Sequence, residues 1–244
     1  MPEGPSIVLM KESLRKFVGQ MVTGVDGNAK FDKEPLTGKT LLDIKTFGKQ
    51  TYLVFDEISI RIHLLMFGSY SIDEQTKPDA SLRLALHFKD EGMYFYTCSV
   101  KPVDPEFLAG IDWEADVLSD QWNPGKAEKK LRSKPEMMVC DALMDQDIFS
   151  GVGNIIKNEV LFRIGIQPES ILRNMPDKKI KELVAEARNY SFDFLEWKRA
   201  FVLKKHWLVH TKTVCPKCGD KLIKKQTGRG KRRSFYCEKD QKLY

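Results

Sequence analysis

The sequence predicts an α+β protein. An N-terminal antiparallel β-sandwich with one flanking helix comes first, then a helical domain that closes in a small cysteine-bearing β-ribbon. Three observations predict this. Short runs rich in β-branched and aromatic residues, separated by turn residues, crowd the stretch from Gly19 to about Phe107. Beyond Pro135 the apolar residues recur instead at steps of three and four. Three of the five cysteines, Cys215, Cys218 and Cys237, gather near the end.

Taken in order, Ser6 to Val18 reads as a helix. Ile7, Met10, Leu14 and Phe17 form one stripe, and Pro5 suits a first helical position. The strand candidates are KTLLDIKTF, QTYLVFD, ISIRIHLLMF, ASLRLALHF and GMYFYTCSV, divided by Gly-Lys, Asp-Glu and Asp-Glu-Gly. Runs at this spacing imply an antiparallel sandwich or barrel. A first domain over 1–120 follows. The composition then shifts at QWNPGKAEKKLRSKP, taken as a linker over 121–135, although PGKAEKKLRS can itself form a short helix. EMMVCDALMDQDIF, NIIKNEVLFRIGI and DKKIKELVAEARNYSFDFLEW read as three helices of a domain over 136–208. The last carries Ile180, Leu183, Val184 and Ala187 on one face. Residues 209–244 form the ribbon.

The charge distribution narrows the classes of partner. The net charge is +6, yet residues 204–244 alone hold 13 Lys/Arg against 3 Asp/Glu, which is +10, so the preceding 203 residues sum to −4. Such a basic segment suits a polyanion, or else serves as a solvated, solubilising tail. No apolar run approaches a membrane span, and the N-terminus lacks the features of a signal peptide, so a cytosolic protein is expected. In a reducing compartment the clustered cysteines read as a metal site, while Cys98 and Cys140 read as small buried residues.

The opening MPEGP carries a chemical possibility. Initiator methionine is normally removed before proline, which would expose Pro2 as a free secondary amine. An α-amino group titrates near about 7.7–8.0, so a useful fraction is nucleophilic at pH 7. Condensed with a sugar aldehyde carbon it forms an iminium, an electron sink for β-elimination. Glu3 stands beside it to move a proton. The competing reading makes Pro-Glu-Gly-Pro a lead into the helix.

Three motifs in order, MPEGP, ALMDQDIFSGVGNIIKNEVLFRIGIQP and RRSFYCEKDQ, resemble the formamidopyrimidine-DNA glycosylase/endonuclease VIII family. The resemblance implies a β-sandwich, a helix–two-turn–helix domain and a zinc-finger-like ribbon. It implies a bifunctional glycosylase/AP lyase of base-excision repair, in which Pro2 attacks C1′ of the damaged nucleotide and Glu3 shuttles protons. Lys49, in TFGKQTYL, matches a strand lysine that contacts phosphate; without the family it would be a surface charge on a hairpin. Gly153, with Gly151, lies where the chain turns sharply and backbone can approach phosphate. Asn154 opens the next helix, where free N–H groups and the dipole favour an anion, and it matches a DNA-gripping asparagine. Glu159 matches a glutamate near the proline, or is an exposed helix charge. Arg232 matches a phosphate-clamping arginine. Leu65, Met66 and Phe67 match the wedge that fills the helix when a base leaves, or else belong to the core.

The resemblance also implies a structural Zn²⁺ held by Cys215, Cys218, Cys237 and Asp240. The spacing here is Cys-x2-Cys, 18 residues, then Cys-x2-Asp, where the family has a fourth cysteine. Carboxylate can ligate zinc. His210 is a less natural substitute, and a metal-free ribbon packed on Phe235 and Tyr236 is the remaining option. FYTCSVKPVD lacks the Arg-Phe pair of the purine-specific branch, and SFDFLEWKRAFVLKKHWLVHTKTV lacks its long glycine- and threonine-rich loop. Oxidised pyrimidines are therefore the expected substrates. Oxidised purines, or non-catalytic binding of damaged DNA, are the alternatives. The expected partner is double-stranded DNA with damaged bases or abasic sites, bound by a monomeric, nucleoid-associated protein of the cytoplasm.

Overall fold

A computed structural model describes residues 2–244, and Met1, whose removal frees the Pro2 amine, lies outside the described residues. The chain divides into two compact units. One comprises Pro2 and Ser6–Ile111, the other Glu3–Pro5 and Asp112–Tyr244.

The first unit is an antiparallel sandwich. Helix α1 (Gly4–Leu14) continues into a 3₁₀ turn, and its apolar stripe of Ile7, Met10, Leu14 and Phe17 is buried. The strands are β1 (Gly24–Asp26), β2 (Asp43–Phe47), β3 (Gln50–Val54), β4 (Ser59–His63), β5 (Ser69–Ile72), β6 (Leu82–His87), β7 (Gly92–Tyr96) and β8 (Ser99–Val103). They form two four-stranded sheets, in the orders β1-β6-β7-β5 and β2-β3-β4-β8. Inward residues of both sheets share one core with the helix: Ile44, Leu53, Ile60 and Ile62 from one, Leu84, Leu86, Met93 and Phe95 from the other. Alternation along a pleated strand puts these residues on one face, while Leu82, Ala85, Tyr94 and Tyr96 of β6 and β7 form a second, smaller buried cluster. GMYFYTCSV proves to be two strands. Thr97, at φ +50°, turns the chain so that β7 and β8 fall in different sheets. A short helix α2 (Pro105–Ala109), capped by the Asp104 side chain, follows.

The second unit is helical. Residues 121–135, expected as a linker, hold α3 (Pro124–Arg132), capped by Asn123 Oδ1 accepting from the Lys126 N–H. Its Ala127 and Leu131 lie in the core with Phe149, Ile156, Val160 and Leu183, so this stretch is part of the fold. Helix α4 (Val139–Met144) is much shorter than the apolar pattern suggested. Asp145 ends it by accepting the Asp147 N–H at 3.0 Å and the Lys134 ammonium at 2.6 Å, a local alternative to further helix. Helices α5 (Asn154–Arg163) and α6 (Asp177–Arg199) then cross the core, α6 burying Ile180, Leu183, Val184 and Ala187 as its period requires. The hairpin β9 (Ile223–Thr227) and β10 (Arg232–Tyr236) closes the chain. Among the described residues no helix is long and apolar enough to cross a membrane.

Candidate active site

Glu3 is 1% exposed, an unusual burial for a carboxylate three residues from a chain start. Its two oxygens accept the first free N–H groups of α5, Ile155 N at 2.7 Å and Ile156 N at 3.2 Å. The helix start supplies donors and the positive end of the dipole, and the carboxylate satisfies both. The Gly4 N–H donates to Gly151 O at 2.9 Å and ties the next residue to the same turn. Gly153 is what makes room. A Cβ there would stand 2.3 Å from the carboxyl carbon of Glu3.

This corrects two sequence expectations. The anion at the start of α5 is the protein's own Glu3, so those two N–H groups are not open to phosphate. Gly153 has ordinary extended backbone (φ −124°) and is required for space, whereas Gly151, at φ +99°, supplies the sharp turn.

Asn154 points elsewhere. Its Nδ2 donates to Arg233 O at 3.0 Å. Asn158 Nδ2 reaches the same carbonyl at 3.3 Å, and Lys157 Nζ reaches it at 3.4 Å while donating to Ser234 Oγ at 2.8 Å. Ser234 Oγ lies 2.6 Å from Thr227 Oγ1, and Asn158 Oδ1 accepts the Phe235 N–H at 3.2 Å. The polar face of α5 thus fixes β10 next to Arg232. In the turn of the same hairpin, Asp141 accepts the Arg229 N–H on both oxygens, at 3.1 and 3.0 Å. Arg232, half-buried at the head of β10, makes no side-chain hydrogen bond or ion pair among the described residues. Its guanidinium is therefore available. Lys157 and Asn158 escaped the sequence reading, although polar residues at 154, 157 and 158 recur at helical spacing within an apolar helix.

Glu159 is neither an exposed charge nor a DNA contact. It is fully buried and accepts the N–H groups of Leu208, Val209 and His210 at 2.8–3.0 Å, holding the segment that follows α6. His210 stacks edge-on against Trp207 and Phe235, and burial with the nearby Lys157 charge pushes its pKa down to about 4. Among the described residues it lies outside the group of side chains that could share a metal ion.

The cysteine cluster assembles as the spacing implied. One ligand atom from each of Cys215, Cys218, Cys237 and Asp240 lies within 4.8 Å of all the others. Asp240 Oδ2 is 3.0 Å from Cys215 Sγ and 3.3 Å from Cys237 Sγ, and Cys218 Sγ is 3.5 Å from Cys237 Sγ. Tetrahedral bonds of about 2.0–2.3 Å place ligand atoms roughly 3.5–3.8 Å apart, so the four residues fit a single ion of the zinc type.

In the first unit, Lys49 sits in the β2–β3 turn, after Gly48 at φ +55°. Its charge, with burial, holds the His63 imidazole below the usual histidine range, burial being the larger cause. Leu65, Met66 and Phe67 follow β4 in a tight turn closed by the Gly68 N–H donating to Leu64 O at 2.7 Å. They are 48, 54 and 78% exposed, so this apolar triplet stands in solvent and not in the core.

Comparison with known proteins places these features. The formamidopyrimidine-DNA glycosylase N-terminal domain matches residues 1–100, and the formamidopyrimidine-DNA glycosylase H2TH domain matches residues 114–191. Endonuclease 8-like 3 of Mus musculus is 29% identical over 99% of this chain and 46% of its own length. Endonuclease 8-like 3 of Xenopus laevis is 30% identical over 86% of this chain and 36% of its own. The chain thus spans less than half the length of these relatives. Endonuclease 8 2 of Mycobacterium bovis is 28% identical over 78% of this chain and 77% of its own length. In fold, a Lactococcus lactis Fpg bound to abasic-site DNA superposes with a TM-score of 0.86 at 20% identity, over 98% of this chain and 99% of that one. A viral DNA glycosylase gives 0.85 at 19%, over 98% and 100%. The sandwich, the helical unit and the cysteine-bearing hairpin thus follow a fold shared with these solved structures over nearly the whole chain. This chain belongs to the formamidopyrimidine-DNA glycosylase/endonuclease VIII family.

Proposed function

We propose that the chain is a bifunctional DNA glycosylase/AP lyase of base-excision repair that removes oxidised bases, pyrimidines preferentially, and then nicks the strand. In a chain processed at Met1, the Pro2 nitrogen attacks C1′ of the damaged nucleotide. The C1′–N bond breaks, and the base leaves with a proton supplied through Glu3. The nitrogen lone pair then expels the ring oxygen: the C1′–O4′ bond breaks, O4′ takes a proton, and C1′ is left as an iminium that is cationic without protonation. Loss of a C2′ proton expels the 3′ phosphate by β-elimination, and hydrolysis of the imine frees the amine. Every step uses positioning and proton transfer at one terminus.

The observation that carries this reading is the seat of Glu3. The residue beside the terminal imino acid is buried and held by two backbone donors of α5. Ordering a chain end has an entropic cost, and pinning it by a carboxylate suits an end that must be aimed. A non-catalytic damage-binding protein has no use for a secondary amine at that place. The pyrimidine preference rests on the sequence: FYTCSVKPVD lacks the Arg-Phe pair of the purine-specific branch, and the segment before the ribbon lacks its long glycine- and threonine-rich loop. Arg232 and Lys49 would take phosphates, and Leu65, Met66 and Phe67 would fill the gap left by the flipped base. Cys215, Cys218, Cys237 and Asp240 would hold a structural Zn²⁺ that fixes the ribbon carrying Arg232.

The test is incision of duplexes holding thymine glycol, dihydrouracil or 8-oxoguanine opposite cytosine, by protein with a free Pro2. The two pyrimidine lesions should be cut and 8-oxoguanine cut poorly. Faster cutting of 8-oxoguanine would reverse the preference, and binding with no incision of any lesion would leave a binding protein.

A further inference from the structure

Lys157 takes no part in the chemistry just described, yet its setting is exceptional. The side chain is 1% exposed. Its ammonium donates only to neutral groups, Ser234 Oγ and Arg233 O. Among the described residues no carboxylate comes within ion-pair distance of it. The titratable and charged groups that face it are Glu3 from the chain start, Cys140 and Asp141 from α4, Arg232 from β10, and His210 from the segment after α6. Neither carboxylate is idle: Glu3 receives the start of α5, and Asp141 receives the Arg229 N–H. Arg232 adds a second positive charge. Burial first, and Arg232 after it, bring the amine down to about 8, which leaves it mostly charged at neutral pH. A buried cation whose partners are all neutral is costly unless an anion completes it.

We infer that Lys157 is a positioning residue for phosphate capture: it locks the Arg233 carbonyl and the Ser234 hydroxyl so that Arg232 is presented in register, and the DNA phosphate bound there supplies the charge that balances its own. The donor pattern fits this role. Asn154, Lys157 and Asn158 converge on one carbonyl, and only Lys157 brings a charge to it. A neutral hydrogen-bonding residue would have sufficed for packing. The inference rests on the DNA-binding reading above, since the balancing anion is a backbone phosphate.

The experiment follows Lys157 in the full-length protein through its ¹³Cε resonance, with and without a duplex carrying a tetrahydrofuran abasic analogue. The free midpoint should lie near about 8 and rise on binding by at least about one pH unit, a tenfold preference for the charged form. In parallel, Lys157→Met should bind that duplex about tenfold more weakly at pH 7, with a salt slope shallower by about one. It should also take up less proton on binding at pH 8.5 than the wild type. Ser234→Ala, which keeps the amine, should retain that uptake. An unmoved wild-type midpoint on bound DNA overturns the inference whether or not the methionine variant folds. Equal proton uptake by wild type and a folded Lys157→Met overturns it as well. Failure of the wild type to bind the duplex at all removes the DNA-binding reading, and this inference with it.

Discussion

Gly153→Ala tests how Glu3 and the segment around it are held. The added methyl would sit 2.3 Å from the Glu3 carboxyl carbon and 2.5 Å from Oε1, far inside contact distance. The backbone there is ordinary for alanine (φ −124°), so the clash with Glu3 is the whole effect. Relief requires the carboxylate to leave the start of α5, and with it both hydrogen bonds to Ile155 and Ile156. Bonds to charged acceptors are worth about 1.5–3 kcal/mol each before water replaces them. A buried helix start then loses its cap, and a net loss of about 2–4 kcal/mol follows. For a chain of this size that is a fall in melting temperature of roughly 5–15 °C. Amide hydrogen exchange reads the cause directly, because the Ile155 and Ile156 amides should lose protection while those in β3 and β4 do not. Glu3→Ala should be strongly non-additive with Gly153→Ala, since each removes the same contact. Unchanged protection at Ile155 and Ile156 in Gly153→Ala would refute the reasoning.

Other consequences are open to measurement. Lys157 has a folded pKa of about 8 against 10.5 ordinarily, so the unfolded chain binds more protons between those values and stability rises with pH across them, by at most roughly 3 kcal/mol. Urea unfolding from pH 8 to 10.5 should show this rise in the wild type and lose it in Lys157→Met; parallel curves would contradict it. Asp240→Ala should lower zinc affinity and loosen β9–β10, whereas Asp240→Cys should keep one ion per chain by native mass spectrometry. No ion in the wild type would remove the metal. Replacing Leu65, Met66 and Phe67 together by alanine should slow lesion excision at least tenfold yet leave the melting temperature within about 2 °C, because all three are exposed. A large loss of stability would return them to the core.

What the sequence disclosed depended on range. Periodicity is local, so α1, α6 and the long central strands could be read directly. The strands β1 and β5 could not. They are short edge strands of three and four residues, and the pairing that defines them comes from β6 and β7. The Asn123-Pro124 pair marked α3, but its basic surface disguised a helix whose Ala127 and Leu131 are core. The metal cluster was legible because two of its ligand pairs lie within three residues of each other. The role of Glu3 was beyond reach, since its partners lie 152 and 153 residues away. Glu159 misled for the same reason. A glutamate amid apolar residues shows nothing of three amides some fifty positions on.

The most direct test of the whole account is peptide mapping of protein lacking Met1 after borohydride reduction on an abasic-site duplex. The account predicts one deoxyribose adduct, carried on the N-terminal peptide at Pro2. An adduct on Lys49 or another lysine, or an absence of cross-linked species from protein that binds the duplex, would contradict it.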